Sequence, residues 1–148
     1  MNDFSPFEKR LSALIAALSP AGRRRMAQDI AKTLRTRQQQ RIKAQKAPDG
    51  SAYTPRREQP ARAKKGRVKR EMFAKLRTSR FMKASGSSDA AIVEFTGKVQ
   101  RIARVHQYGL HDRPSRKGKE VQYEARPLLG INAEDIKLIE SEIIRLLQ

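Results

Sequence analysis

The chain reads as an α+β fold, a small antiparallel sheet packed with N-terminal and C-terminal helices and carrying a basic extended arm. Three observations lead there. Capped amphipathic segments stand near both ends, an alternating stretch over residues 90–96 follows a Ser- and Gly-rich turn, and residues 46–70 combine prolines, glycines and cations with little to bury. The chain divides accordingly into a helical segment over 1–45, an arm or loop over 46–70 and an α+β core over 71–148, all within one domain.

The first helix is set by Ser5, Pro6 and Glu8, a capping box with proline at the first helical position. Phe7, Leu11, Leu14, Ile15 and Leu18 then share one face, which predicts a helix over 6–18. Ser19 and Pro20 repeat the start signal. Met26, Ile30 and Leu34 carry a weaker stripe through Arg, Gln and Lys residues towards Ile42, so the second helix is expected to be long and mostly solvated. The two starts look alike, but there is no internal repeat.

In the arm, Pro48, Gly50, Pro55, Pro60 and Gly66 punctuate a stretch whose large apolar residues are Tyr53 and Val68. Alone it cannot bury enough surface to offset the entropy of ordering it. Val68, Met72 and Leu76, with Phe73 beside them, predict a short helix over 68–79. Residues 81–84 and 90–96 form a hairpin, its second strand alternating Ala91, Val93 and Phe95 against Ile92, Glu94 and Thr96.

Ile102, Val105 and Tyr108 follow at helical spacing, and Gly109 stands where a left-handed cap ends a helix. A solvated loop over 112–120, with Pro114 and Gly118, leads to Leu128, Leu129 and Ile131 behind Pro127. A strand around 122–129 is expected to join the hairpin's sheet. The last helix begins at Asn132, with Asp135 three residues on and Ile131 placed to staple onto Ile136; Ile139, Ile143, Leu146 and Leu147 complete its stripe.

Lys and Arg number 33 against 15 Asp and Glu, a net of +18, and the excess is segregated. Residues 23–83 hold 21 cations and four acids, whereas residues 120–148 hold three and six. A chain charged only for solubility would intersperse the signs, so a polyanion or an acidic protein surface is implied as a partner. The candidate polyanion contacts are Arg23, Arg24 and Arg25, and the cluster Arg62, Lys64, Lys65, Arg67, Lys69 and Arg70. Few aromatics are interleaved, so any nucleic-acid contact would be directed at phosphates and indifferent to base sequence.

With no cysteine and two histidines, a closed zinc site is not expected. His106, His111 and Asp112 lack helical ligand spacing and a further ligand, and His106 is instead expected to be hydrogen-bonded at a packed helix end. No G-x-S-x-G elbow or Gly-rich phosphate loop is present, and Glu134 and Asp135 are accounted for by helix capping. Neither catalysis nor a cofactor is expected. No apolar run approaches the ~20 residues of a membrane span and the start lacks the features of a signal peptide, so the chain is expected in the cytoplasm.

The blocks VHQYG (105–109) and ARPLLGI (125–131), with APDGSAYTP (47–55) and GRVKREMFAKLRTSRF (66–81), resemble the phage virion morphogenesis family over nearly the whole chain. The resemblance implies a structural subunit that completes a contractile phage tail at its head-proximal end, as a terminator or neck component of the virion assembled in the bacterial host. It further implies a homo-oligomeric ring, a hexamer by family likeness, meeting tail tube, sheath and head–neck connector proteins. Val105, His106, Gln107, Tyr108 and Gly109, with Arg126, Pro127, Leu128 and Leu129, are the matched residues whose role would be to hold the subunit in shape for assembly. In that role Gly109 and Gly130 would give backbone freedom and Pro127 a fixed lead into a strand. A sequence-independent nucleic-acid-binding protein acting through its basic arm is the alternative, and a small hydrolase a third for which no nucleophile and base can be located.

Overall fold

The computed structural model describes residues 5–56, 71–114 and 117–147. Helix α1 spans Ser5–Ala16 and α2 spans Pro20–Lys43. Ser19 caps α2 from an extended backbone conformation, its Oγ accepting from the Gly22 N–H at 3.1 Å, and Pro20 opens the helix without leaving an N–H unpaired. At the other end the backbone turns through Gln45 at φ 59° and doubles back, where Lys46 bridges Ala52 around an Asp49–Gly50 turn.

Far from being mostly solvated, α2 is the spine of the fold. Met26, Ala27, Ile30, Ala31, Leu34, Gln38 and Ile42 are all buried along one side. The antiparallel hairpin β1 (Met82–Gly86) and β2 (Ala91–Phe95) lies across that side, with Met82 opposite Phe95 and Gly86 opposite Ala91. The crossing is close enough that a Cβ on Gly86 would come within 2.6 Å of the Ala27 carbonyl carbon and closer still to the Gln28 nitrogen. The alternation expected for β2 holds over 92–95, where Phe95 is buried and Val93 half-buried while Ile92 and Glu94 face solvent; Ala91, at the strand's start, is exposed rather than inward.

Helix α3 runs Gln100–Tyr108 and ends at Gly109, whose φ of 65° is the left-handed cap the sequence called for. Its buried residues are Ala103 and Val105; Ile102 and Tyr108 are exposed, so the apolar stripe read from the sequence is not the packed face. Two-residue strands β3 (His111–Asp112) and β4 (Val121–Gln122) pair antiparallel in a separate ribbon. The strand expected over 122–129 is thus confined to two residues and does not join the hairpin. Helix α4 covers Ala133–Leu147. Asn132 and Asp135 cap it reciprocally, the Asp135 N–H donating to Asn132 Oδ1 at 2.9 Å and the Asn132 N–H to Asp135 Oδ2 at 3.0 Å. Ile131 is 55% exposed, so it does not serve as a buried staple.

Of the helix expected over 68–79, the described residues 71–80 form successive turns, with Phe73 at φ 65°. Residues 57–70 of the expected arm lie outside the described residues. Its first part does not stand apart: Ala47 and Tyr53 are buried in the core.

Two apolar clusters result. Ile42, Tyr53, Met82, Phe95, Ala103 and Leu128 centre the larger, between α2, the hairpin and α3. Met26, Ile30, Leu34 and Ile143 centre the smaller, where α2 meets α4 and half-buried side chains of α1. Val93 touches both, so the hairpin ties them together. Burying side chains as fully as Ile42, Met82, Leu128 and Ile143 stabilises the fold by about 1.5–3 kcal/mol each.

Candidate functional site

The segment 125–131 has no strand partner among the described residues and yet lies across the core. Unpaired backbone polar groups in such a place are costly, so each needs a partner. Side chains from three directions supply them. From α3, Gln107 donates through Nε2 to the Leu129 carbonyl at 2.9 Å, and its Oε1 accepts from the N–H groups of Leu128 and Leu129 at 2.8 and 2.9 Å. From α2, Gln38 exchanges two bonds with Gly130, Nε2 to the carbonyl at 3.0 Å and Oε1 from the N–H at 3.2 Å. From the turn after α2, the Tyr53 hydroxyl donates to the Pro127 carbonyl at 2.8 Å. Two glutamine amides and a phenol therefore do what a neighbouring strand would do.

Burial pushes the Tyr53 phenol up to about 12, with the Arg41 cation opposing, so Tyr53 stays a donor. Arg126 works in the reverse direction. Its backbone N–H donates to the His106 carbonyl at 2.7 Å, while its guanidinium donates to the carbonyls of Thr54 and Pro55 at 2.7 and 3.2 Å. Burial lowers its pKa, Glu124 raises it and Arg56 lowers it further. The guanidinium remains a cation and ties the chain leaving the core at Pro55 to the clamp. On the far side of the same excursion, Gln45 holds Met72 by a reciprocal pair, Nε2 to the Met72 carbonyl at 2.9 Å and Oε1 from the Met72 N–H at 3.1 Å.

A charged lock closes the clamp. Asp135 is fully buried and accepts from Arg37 Nε, from Arg41 Nη1 at 2.7 Å and from the Asn132 N–H. Burial by itself would raise its pKa. The hydrogen bonds from Arg41, Asn132 and Arg37 outweigh it and hold the carboxyl below the usual range. Arg41 reaches further, to the Gly130 carbonyl at 2.7 Å and Gln38 Oε1 at 2.5 Å, so α2, α4 and the extended segment meet at one guanidinium. Gly130 fits there because a Cβ would come within 2.7 Å of Pro48 Cγ; close approach, not a left-handed backbone, is what needs the glycine.

The two matched blocks, 105–109 and 125–131, thus face each other across the clamp. Val105, Arg126 and Leu128 are buried, and His106, Gln107, Pro127 and Leu129 half-buried. Gly109 packs so tightly that a Cβ would meet the Ala125 nitrogen at 2.7 Å. Tyr108 alone of the set is widely open, at 67%. Pro127 leads into no strand; its carbonyl serves Tyr53 instead. His106 sits edge-on between Phe73 and Tyr123, ring centroids 4.9 and 5.1 Å away. Its buried Nδ1 has no hydrogen-bond partner among the described residues, contrary to expectation, and burial followed by the Arg126 charge lowers its pKa.

His111 and Asp112 lie in β3, where Asp112 pairs with Arg101 at 2.5 Å. Among the described residues no group of three or more His, Asp or Glu is placed to hold a metal, and no helix is long and apolar enough to cross a membrane. Of the candidate polyanion contacts, Arg24 and Arg25 are exposed on α2 and Arg23 half-buried; Arg62, Lys64, Lys65, Arg67, Lys69 and Arg70 lie outside the described residues. Beside the clamp, α3 and β2 bound an open groove of about 620 Å³, whose walls include Val93, Phe95, Ala103, Tyr108 and Leu129.

Sequence reasoning missed Gln38, Arg41 and Tyr53. One signal was available: Gln38 falls between Leu34 and Ile42 at four-residue spacing, a polar residue on an apolar stripe, and such a residue is buried only with partners.

The fold is a small α+β protein whose two most distinctive blocks face each other across the clamp, and the chain matches one family along nearly its whole length. It belongs to the phage virion morphogenesis family, whose model matches residues 2–148. Among curated proteins it is similar to the tail completion protein S of Escherichia phage P2, at 53% identity over 145 residues that cover 97% of each chain. No solved structure matches it.

Proposed function

We propose that this chain is a structural tail completion protein of a phage virion, added at the head-proximal end of the tail to finish it and permit head joining. The observation that carries the reading is the 53% identity to a tail completion protein over 97% of both chains. The clamp supports it in kind. Its side chains are spent on holding backbone, which suits a part that must present a constant surface to neighbours.

In this reading Val105, His106, Gln107, Gly109, Arg126, Pro127, Leu128 and Leu129 keep the subunit in shape. Tyr108, with the exposed Ile102 and Leu110, supplies contact surface, since large apolar side chains left in water favour burial against a partner. Copies form a ring, six-membered by family likeness, that meets tail tube, sheath and connector proteins, and catalysis plays no part.

Purified chain mixed with tail tubes and imaged by negative-stain electron microscopy tests this. Density capping one end of the tube is expected, lost in Tyr108→Glu while that variant's thermal midpoint is unchanged. Tubes that remain bare with folded wild-type protein overturn the reading.

A further inference from the structure

Helix α2 carries eight Lys or Arg residues and one acid, Asp29, and the structure divides its cations by use. Arg37 and Arg41 turn to Asp135 and are consumed by the fold. Arg24, Arg25, Lys32, Arg35 and Lys43 make no ion pair among the described residues. At about 100° per residue these five fall within a sector of about 100° on the helix, and at 1.5 Å rise they extend over about 28 Å. The exposed Gln28 lies in the same sector and adds an amide donor, whereas Gln39 there donates to Ser79 Oγ at 3.2 Å. Lys32 and Arg35 stand three residues apart, a like-charge pair that weakens a helix and so does not serve the fold.

We infer that this outward stripe of α2 is a binding surface for the phosphate backbone of double-stranded DNA, engaged without regard to base sequence. Its length corresponds to about eight base pairs at 3.4 Å each, and its exposed side chains, Arg24, Arg25, Gln28, Lys32 and Lys43, are cations and a neutral amide, groups that contact phosphate oxygens. Cations spread over about 28 Å of one helix with no acid in their sector match an evenly charged rod better than the irregular charges of a folded acidic protein. The inference rests on α2 alone and stands or falls separately from the tail-completion reading.

The test is fluorescence anisotropy of the full chain with two unrelated 20-base-pair duplexes between 50 and 200 mM NaCl. Each phosphate contact contributes about 0.9 to the slope of log affinity against log salt. The triple variant Arg25→Gln, Lys32→Gln, Lys43→Gln is expected to reduce that slope by about 2.7 for both duplexes. An isoelectric control, Lys98→Gln, Lys117→Gln, Lys119→Gln, alters exposed lysines elsewhere and is expected to change it by less than about 0.9. If the triple variant does not fold, as read by circular dichroism, the three single variants replace it, each lowering the slope by about 0.9. Equal loss in variant and control would reduce the effect to net charge and overturn the assignment, as would no wild-type binding at 50 mM. Loss of poly-glutamate binding in the α2 variant with an unchanged duplex slope would give the face to an acidic protein instead, and would equally overturn it.

Discussion

Replacing Gln107 by methionine tests the clamp at its most informative point. The two side chains have similar length and volume, so the substitution leaves no large cavity and isolates the hydrogen bonds. Three are lost together: those from the Leu128 and Leu129 N–H groups and that to the Leu129 carbonyl. With a net of about 1 kcal/mol for each, and more where the abandoned group stays dry, the loss is about 3 kcal/mol. Leu128 is 1% exposed, so its N–H has little access to replacement water. Gln107→Glu separates donor from acceptor. It keeps an oxygen for both N–H groups but sets a carboxylate against the Leu129 carbonyl, and an intermediate loss is expected. Urea unfolding followed by circular dichroism measures both; with a slope near 2 kcal/mol per M, typical of this size, the midpoint of Gln107→Met falls by about 1.5 M. A midpoint within about 0.3 M of wild type would show that the 125–131 segment is held by packing alone, and the account of the matched blocks would fail.

Two further outcomes follow from the same structure. Gly86→Ala drives a methyl into the α2 backbone at Ala27 and Gln28 and is expected to cost about 1–3 kcal/mol, whereas Gly97→Ala, with nothing within 4 Å, is neutral; equal midpoints for the two would mean that the hairpin does not press on α2 as described. Because His106 has a folded pKa below its ordinary value of 6.5, the unfolded chain binds the proton more readily. Its contribution is therefore complete above about pH 6.5 and declines as pH falls through that value towards the depressed folded pKa, by at most about 1.4 kcal/mol per pH unit. Urea midpoints at pH 7.5, 6.5 and 5.5 should show this decline in wild type and a flatter course in His106→Phe, which keeps a ring between Phe73 and Tyr123; parallel courses would refute the role of the imidazole.

Local chemistry can be read along the chain. Ser19 with Pro20, Gly109, and the Asn132–Asp135 pair act within a few residues of where they stand, so the start of α2, the end of α3 and the start of α4 were legible from them. The alternation of β2 and the family resemblance were equally plain. Tertiary structure decided where each element's polar groups found partners. Whether α2 is wet or buried depends on a hairpin about 50 residues later in the chain, and whether 122–129 is a strand depends on edges that other segments leave free. Gln38 and Gln107 replace a strand only because α2 and α3 bring two amides to either side of Leu129 and Gly130. A glutamine's nearest bonding partner is a matter of distance in space, and separations of 92 and 22 residues leave no periodic mark along the chain. Charge behaves likewise: composition counts the cations of α2, but only packing against Asp135 distinguishes the two that hold the fold from the five that make no ion pair among the described residues.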